Sequence, residues 1–132
     1  MIQVRKVKEL VVSVENRPGQ IARVLGAIAV AGMNVEAYMA HAHEGSGVLR
    51  ILAEDAEAAR ERLVKEGCVV ETTEVLAVVQ KNSIGSEAGI ARRLANASID
   101  VQYAYATTAG DGSYLSVIAT SDNDAAIKAL GA

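Results

Sequence analysis

Residues 10–34 have the sequence LVVSVENRPGQIARVLGAIAVAGMN, which predicts one strand followed by one helix. Residues 10–15 are rich in β-branched side chains, as strands usually are. Pro18 suits the first position of a helix, where a missing N–H costs no hydrogen bond, and Gly32 suits the end of that helix. The apolar residues between them fall on a single helical stripe, formed by Ile21, Val24, Leu25 and Ile28.

The chain repeats this pattern at an offset of 66 residues, which carries Asn16 onto Asn82 and Gly19 onto Gly85. The order of predicted elements is the same in both copies, and no gap is needed before the second helix. These observations indicate that one unit has been duplicated. The other matching pairs are Ala22 and Ala88, Ala31 and Ala97, Val35 and Val101, Ala40 and Ala106, Leu49 and Leu115, and Ala53 and Ala119.

Each copy continues with a hairpin and a second helix. In the first copy, strands are predicted at residues 33–43 and 48–54, joined by the glycine-rich turn at 44–47. Asp55 is a good N-cap for the helix that follows, and Ser121 takes the capping role in the second copy. Residues 110–112 form the second hairpin turn, and residues 76–81 form the opening strand of the second copy.

The two copies differ in their last strand. Residues 68–71 give the first copy a fourth strand, whereas the second copy has no such segment before residue 132. At the offset of 66, residues 2–4 overlie 68–70, so the N-terminal strand is predicted to complete the second unit. The sequence therefore predicts an α+β fold of two ferredoxin-like βαββαβ units side by side, with eight antiparallel strands and helices on one face. The predicted units are residues 1–72 and 73–132, with residues 2–5 completing the second.

The segment Glu15-Asn16-Arg17-Pro18-Gly19, followed by Ile21 and by Gly32-Met33-Asn34-Val35, resembles the ACT domain, a regulatory module that binds amino acids. The resemblance covers nearly the whole chain, which is similar to stand-alone proteins made of two ACT units. The first copy is most similar to the serine-sensing ACT domain of bacterial phosphoglycerate dehydrogenase.

The resemblance implies that a free amino acid is held at a seam between ACT units. In that family, an asparagine of the turn and an asparagine opening the second strand bind the effector, and these positions are Asn16 and Asn34 here. The second copy has Asn82 and Asp100 at the same places.

The second copy also has Ser83 and Ile84 where the first has Arg-Pro. The serine sensor carries a histidine two residues before the turn asparagine. This chain has Val14 and Gln80 there, so serine itself is not implied.

Simple chemistry points to the same turn. A zwitterion needs donors for its carboxylate and acceptors for its ammonium, and an amide side chain supplies both. The start of a helix adds N–H donors and a positive dipole end, while a glycine lets a ligand approach the backbone. The predicted ligand-binding residues are Asn16, Gly19, Gln20, Ile21, Asn34, Asn82, Gly85 and Asp100.

These residues also have simpler interpretations. Asn16 before Pro-Gly is typical of a turn, and Asn34 and Asp100 are equally suited to starting a strand. His41 and His43 share one strand face, but no third metal ligand accompanies them, so ordinary strand histidines are expected and no metal site.

Composition excludes several classes of function. The chain has four tyrosines, no Phe or Trp and a formal net charge of −3, which disfavours binding to nucleic acid. Cys68 lies in an apolar run and has no cysteine partner. No nucleophile, base and orienting group occur together, so the chain is not predicted to be an enzyme, and no cofactor is expected. No membrane span or secretory signal is predicted, which leaves the cytoplasm as the expected location.

The predicted function is therefore that of a regulatory protein that senses a free amino acid, with a metabolic enzyme as one candidate partner. Val35, Ala37 and Met39 would form an apolar strand face, which favours a homodimer. The alternative is a ligand-free regulatory subunit of an amino-acid biosynthetic enzyme complex. An RNA-binding domain shares the element order, but Tyr103 and Tyr105 alone support it weakly.

Overall fold

A computed structural model describes residues 2–131 of the chain. Met1, the first residue of the first predicted unit, and Ala132, the last residue of the second, lie outside the described residues. No helix in the described range is both long and apolar enough to cross a membrane. The elements are β1 (Gln3–Glu15), α1 (Gln20–Val30), β2 (Val35–His43), β3 (Ser46–Ala53), α2 (Ala56–Lys65), β4 (Val69–Lys81), α3 (Ser86–Asn96), β5 (Val101–Thr107), β6 (Ser113–Thr120) and α4 (Asn123–Ala129).

The chain divides into two compact units, each with its own hydrophobic core. The first unit is Lys8–Thr73, and the second consists of the described residues up to Val7 together with those from Glu74 onward. In the first unit β3 lies between β2 and β1 and is antiparallel to both. Its core comprises Leu10, Val12, Val24, Ile28, Leu49, Ile51, Ala53, Ala59, Leu63 and Cys68.

The second unit has the same plan, with β6 between β5 and β4 and antiparallel to both. Ile2 and Val4, from the N-terminal end of β1, pack against its core. Lys6 adds an exposed ion pair, with its Nζ 2.9 Å from an Asp124 carboxylate oxygen. The buried core residues are Leu76, Val78, Ile90, Leu94, Ile99, Ile118, Ala126 and Leu130.

The prediction of eight separate strands is wrong, because six are present among residues 2–131. The strand predicted at the N-terminus and the one at 10–15 are both parts of β1, while those at 68–71 and 76–81 are both parts of β4. No glycine or proline interrupts β1 or β4, so each of these segments stays extended over 13 residues. β1 and β4 therefore each contribute to both units.

The offset between the two copies is not constant. Leu10 pairs with Ile51 in the first unit and Leu76 pairs with Ile118 in the second, so the offset becomes 67 from β6 onward. The extra residue lies in the second hairpin, whose loop covers 108–112. The first hairpin has only Glu44 and Gly45 between its strands, with φ angles of 47° and 80° that fit a two-residue type I′ turn.

This shift corrects two predictions. Leu49 and Ala53 match Ser116 and Thr120, not Leu115 and Ala119. The cap of α4 is Asp122, not Ser121, and its carboxylate accepts a hydrogen bond from the backbone N–H of Ala125 at 3.0 Å. Asp55 caps α2 in the same way, as the sequence predicts, with its carboxylate 3.1 Å from the Ala58 nitrogen.

The predicted start of α1 is also wrong by two residues. Gln20, not Pro18, is the first helical residue, and Gly19 before it has a φ of 91°. Glycine adopts this left-handed conformation without a steric penalty, and Gly85 does the same before α3 with a φ of 83°. Pro18 therefore belongs to the turn, and the glycine sets the direction in which each helix leaves its strand.

Candidate functional site

A cleft of about 240 Å³ lies within the first unit, where β1 ends and α1 begins. Three kinds of segment form it: the turn after β1, the first turn of α1, and the neighbouring ends of β2 and β3. The lining residues are Val14, Glu15, Asn16, Arg17, Gln20, Ile21, Ala40, His41, Ala42, Gly47, Val48 and Leu49.

The floor of the cleft is apolar, and three of its residues are small. Gly47 of β3 is paired with Val14 on one side and with Ala42 on the other, so these three positions share one face of the sheet. Ala40 and Leu49 form the next pair on the same face. A Cβ atom added to Gly47 would lie 3.1 Å from Cγ2 of Val14, so the glycine keeps this part of the floor open.

The first turn of α1 supplies hydrogen-bond donors to the cleft. Among the described side chains none caps this helix, and its first turn has no acidic residue. Gln20 is buried, and its Oε1 accepts a hydrogen bond from Arg23 Nη1 at 3.1 Å. Because that contact directs the oxygen toward Arg23, Nε2 is the group of this amide that can donate to a ligand. The positive end of the helix dipole also favours an anion here.

The turn after β1 supplies acceptors at the rim. Its backbone is held by a hydrogen bond from the Asn16 N–H to the Gly45 carbonyl oxygen, at 3.1 Å. The Glu15 carboxylate accepts from Arg17 Nε at 2.9 Å, and both side chains are largely exposed. The amide oxygen of Asn16 and the Glu15 carboxylate are thus available to a cationic group at the mouth of the cleft.

Of the predicted residues in the first copy, Asn16, Gln20 and Ile21 line the cleft together, and Gly19 sets the start of the helix beside it. Asn34 lies elsewhere. It precedes β2, level with Ala53 of β3, whereas the cleft is lined by residues 47–49, which lie four to six residues or about 13–20 Å away along the strand.

The Asn34 backbone is used locally in the structure. Its N–H donates to a Glu54 carboxylate oxygen, and its carbonyl accepts from the Glu54 N–H at 3.1 Å. Asn34 and Asn16 are at opposite ends of their unit because α1 returns the chain to the far end of the sheet before β2 begins.

The second unit repeats this arrangement. The Asn82 N–H donates to the Gly112 carbonyl oxygen at 2.9 Å, in the turn that Gly85 ends. Asp100 lies at the other end of the sheet, where its N–H donates to Ser121 Oγ at 3.3 Å. In both copies, therefore, the asparagine of the turn and the residue before the second strand lie at opposite ends of the sheet.

The floor of the cleft was not predicted from the sequence. Val14, Ala40, Ala42, Gly47 and Leu49 carry no polar chemistry that would single them out. A usable signal was present, however, since small residues at positions 40 and 42 alternate along β2 and leave space on one face. His41 lies between them, and no group of three or more His, Cys, Asp or Glu residues within 2–131 is placed to hold a metal ion.

Several solved structures share this fold. Protein BT0572 from Bacteroides thetaiotaomicron superposes with a TM-score of 0.90 at 23% sequence identity, over 97% of this chain and 88% of that one. The ligand-free regulatory subunit of aspartate kinase from Thermus thermophilus gives 0.73 at 16% identity, over 99% and 95% of the two chains. Its counterpart from Thermus flavus gives 0.66 at 17% identity, over 98% and 94%. No curated protein matches the sequence.

The sequence itself matches a family pattern along almost its entire length. The pattern of the ACT domain pair covers residues 5–130, and the structure divides the chain into two compact units. The chain therefore belongs to the ACT domain pair family.

Proposed function

We propose that the first-unit cleft binds a free amino acid with an uncharged aliphatic side chain, and that the chain is a regulatory protein without catalytic activity. The observation that carries this proposal is the combination of an apolar floor with an uncapped helix start in one cleft. An apolar floor suits the side chain of such a ligand, and the helix start suits its carboxylate.

The size of the cleft limits the ligand. Its volume of about 240 Å³ equals that of about eight water molecules in the liquid. Valine, leucine and isoleucine have about eight or nine non-hydrogen atoms and match this space, whereas tryptophan has nearly twice as many. A charged ligand side chain against Val14, Ala42 and Leu49 would lose its hydration without gaining a partner.

The polar ends of the ligand have separate partners in this arrangement. Its carboxylate accepts from the N–H groups of the first turn of α1 and from Gln20 Nε2. Its ammonium donates to the Asn16 amide oxygen, with Glu15 supplying negative charge nearby. Asn34 is about 13–20 Å along the strand from this cleft in its own unit, so it reaches the ligand only from another copy of the chain. This requirement supports a homodimer.

Regulation follows if the ligand binds one arrangement of the protein better than another and shifts the balance between them. Structures with the same fold include regulatory subunits of aspartate kinase, which supports a metabolic enzyme as the partner.

A thermal-shift screen against the twenty amino acids tests the proposal. A ligand present at 100 times its dissociation constant adds about 2.7 kcal/mol to the free energy of unfolding, which is readily detected. We expect leucine, isoleucine or valine to raise the melting temperature and aspartate or lysine to have no effect.

Two matched variants locate the site. Asn16→Ala should abolish the response while changing the melting temperature of the free protein little, because Asn16 is exposed. Asn82→Ala changes the corresponding residue of the second copy and should leave the response intact. If no amino acid stabilises the wild-type protein, the proposal fails and the ligand-free regulatory subunit becomes the better explanation.

A further inference from the structure

The second unit has a different set of side chains where the first unit has its cleft. When the strands are matched by their pairing, Val14 corresponds to Gln80 and Gly47 to Tyr114. In the same alignment Leu49 corresponds to Ser116. In α3, which begins directly after Gly85 as α1 does after Gly19, Glu87 takes the place of Ile21. An apolar, open set of residues in one copy is thus matched by a polar, larger set in the other.

The polar residues are bonded to one another. Ser116 is fully buried, and its hydroxyl donates to a Glu87 carboxylate oxygen at 2.7 Å. The Tyr114 phenol lies beside Glu87 and Ser116, and the strand partner of Tyr114 in β4 is Gln80. The tyrosine ring therefore extends from β6 to the first turn of α3, across the space that is empty between Gly47 and Ile21 in the first unit.

Glu87 also carries the charge that a ligand would bring. It lies in the first turn of α3, and no side chain caps this helix among the residues that the structure describes. A carboxylate at this position interacts favourably with the positive end of the helix dipole. In the first unit the same place is held by Ile21, which has no charge, so the helix start there is left to an external anion.

We propose that Tyr114 and Glu87 are a built-in occupant of the second-unit site: the phenol ring takes the space of a ligand side chain, and the Glu87 carboxylate takes the place of the ligand carboxylate. An amino acid then binds to the first unit alone. The stoichiometry rests on the proposed function, whereas the occupation of the second unit by these two side chains does not.

The ionisation of Tyr114 is consistent with this placement. Removal from water and the neighbouring Glu87 carboxylate both raise the pKa of its phenol above the usual value. The first effect is the larger one. A tyrosine pointing freely into solvent would have neither influence.

Chemical rescue tests the occupation directly. Tyr114→Gly copies the residue of the first unit and leaves a hole with the shape of the missing side chain, for which p-cresol is the matching molecule. A cavity left by a removed ring can bind a small aromatic compound of the same shape. We expect p-cresol to raise the melting temperature of Tyr114→Gly in a saturable way and to leave the wild-type protein unchanged. Tyr38→Gly, which removes a ring that is 48% exposed, is the matched control and should not respond.

A folded Tyr114→Gly protein that ignores p-cresol overturns the proposal. If this variant does not fold, an absorbance titration of the four tyrosine phenols tests whether Tyr114 occupies the site. In the wild-type protein a phenol should ionise above the usual range, and this component should be missing from Tyr114→Phe and shifted to lower pH by Glu87→Gln. An unchanged titration in both variants would contradict the contact on which the proposal depends.

Equilibrium dialysis with leucine then measures the stoichiometry. About one leucine per chain is expected from a single open site, and about two per chain would overturn the proposal. If leucine does not bind at all while p-cresol rescues Tyr114→Gly, the occupied second unit stands and the proposed function fails, so the two results remain distinguishable.

Discussion

The N-terminal part of β1 offers a quantitative test of how the two units are built. Ile2 and Val4 are partly buried against the core of the second unit, although they lie far from it in sequence. Replacing both by alanine removes five carbon atoms, worth about 4 kcal/mol if fully buried at about 0.8 kcal/mol each. Because both side chains are only partly buried, we expect a loss of about 2 kcal/mol, or about 8 °C in melting temperature for a chain of this size.

Circular dichroism during heating measures this loss, and Gln3→Ala is the matched control because Gln3 lies between the two residues and is exposed. The control should melt within about 2 °C of the wild-type protein. Hydrogen exchange should show that the destabilised amides belong to the unit from Glu74 onward rather than to Lys8–Thr73. A double variant that melts like the wild type would refute the assignment of the N-terminal segment to the second unit.

Three further predictions concern single residues. Asp122→Ala removes the cap of α4 and should cost about 1 kcal/mol, seen as a fall of about 4 °C in melting temperature; no change would show that the carboxylate does not cap the helix. The hydrogen bond and charge of Lys6 hold the pKa of Asp124 below its ordinary value of 3.8, so the stability that this contact adds is present above that pH and is lost as the pH falls through the lower, folded-state pKa. The difference in melting temperature between wild type and Asp124→Asn should therefore shrink between about pH 5 and pH 2, and a constant difference would contradict the ion pair. Ala42→Leu should fill the first-unit cleft and weaken amino-acid binding at least about tenfold in calorimetry, with little change in the melting of the free protein because Ala42 is exposed; unaltered binding would place the ligand elsewhere.

Much of the fold could be predicted because local signals and the repeat agreed. Asp55 was recognisable as a cap, and the glycines at 44–47 marked a hairpin. The length of β1 and β4 was harder to predict, since residues 6–9 and 72–75 contain no residue that stops a strand. The sequence pattern predicts two shorter strands within each of these segments, whereas the backbone forms one continuous strand in each.

The extra residue of the second hairpin was hidden for a different reason. Leu49 matches Leu115 and Ala53 matches Ala119 at the constant offset, so the sequence offers a plausible alignment that strand pairing does not follow. A shift of one residue exchanges the two faces of a strand. The replacement of Gly47 by Tyr114 can therefore be recognised only once the pairing is known.

The site could be predicted in part. The turn chemistry identified Asn16, Gln20 and Ile21, which the structure brings together in the cleft. It could not identify the floor, because Ala40, Ala42 and Gly47 act through the volume that they leave empty rather than through a functional group.

A nitrogen–proton NMR titration of the wild-type protein with leucine, isoleucine and valine tests the central claim most directly. We expect at least one of them to shift the backbone amide signals of Asn16, Gly19, Gln20, Ile21 and Gly47 in a saturable manner, while the signals of Asn82, Gly85 and Glu87 stay in place. No shift with any of the three, or shifts confined to residues away from the first-unit cleft, would contradict the account.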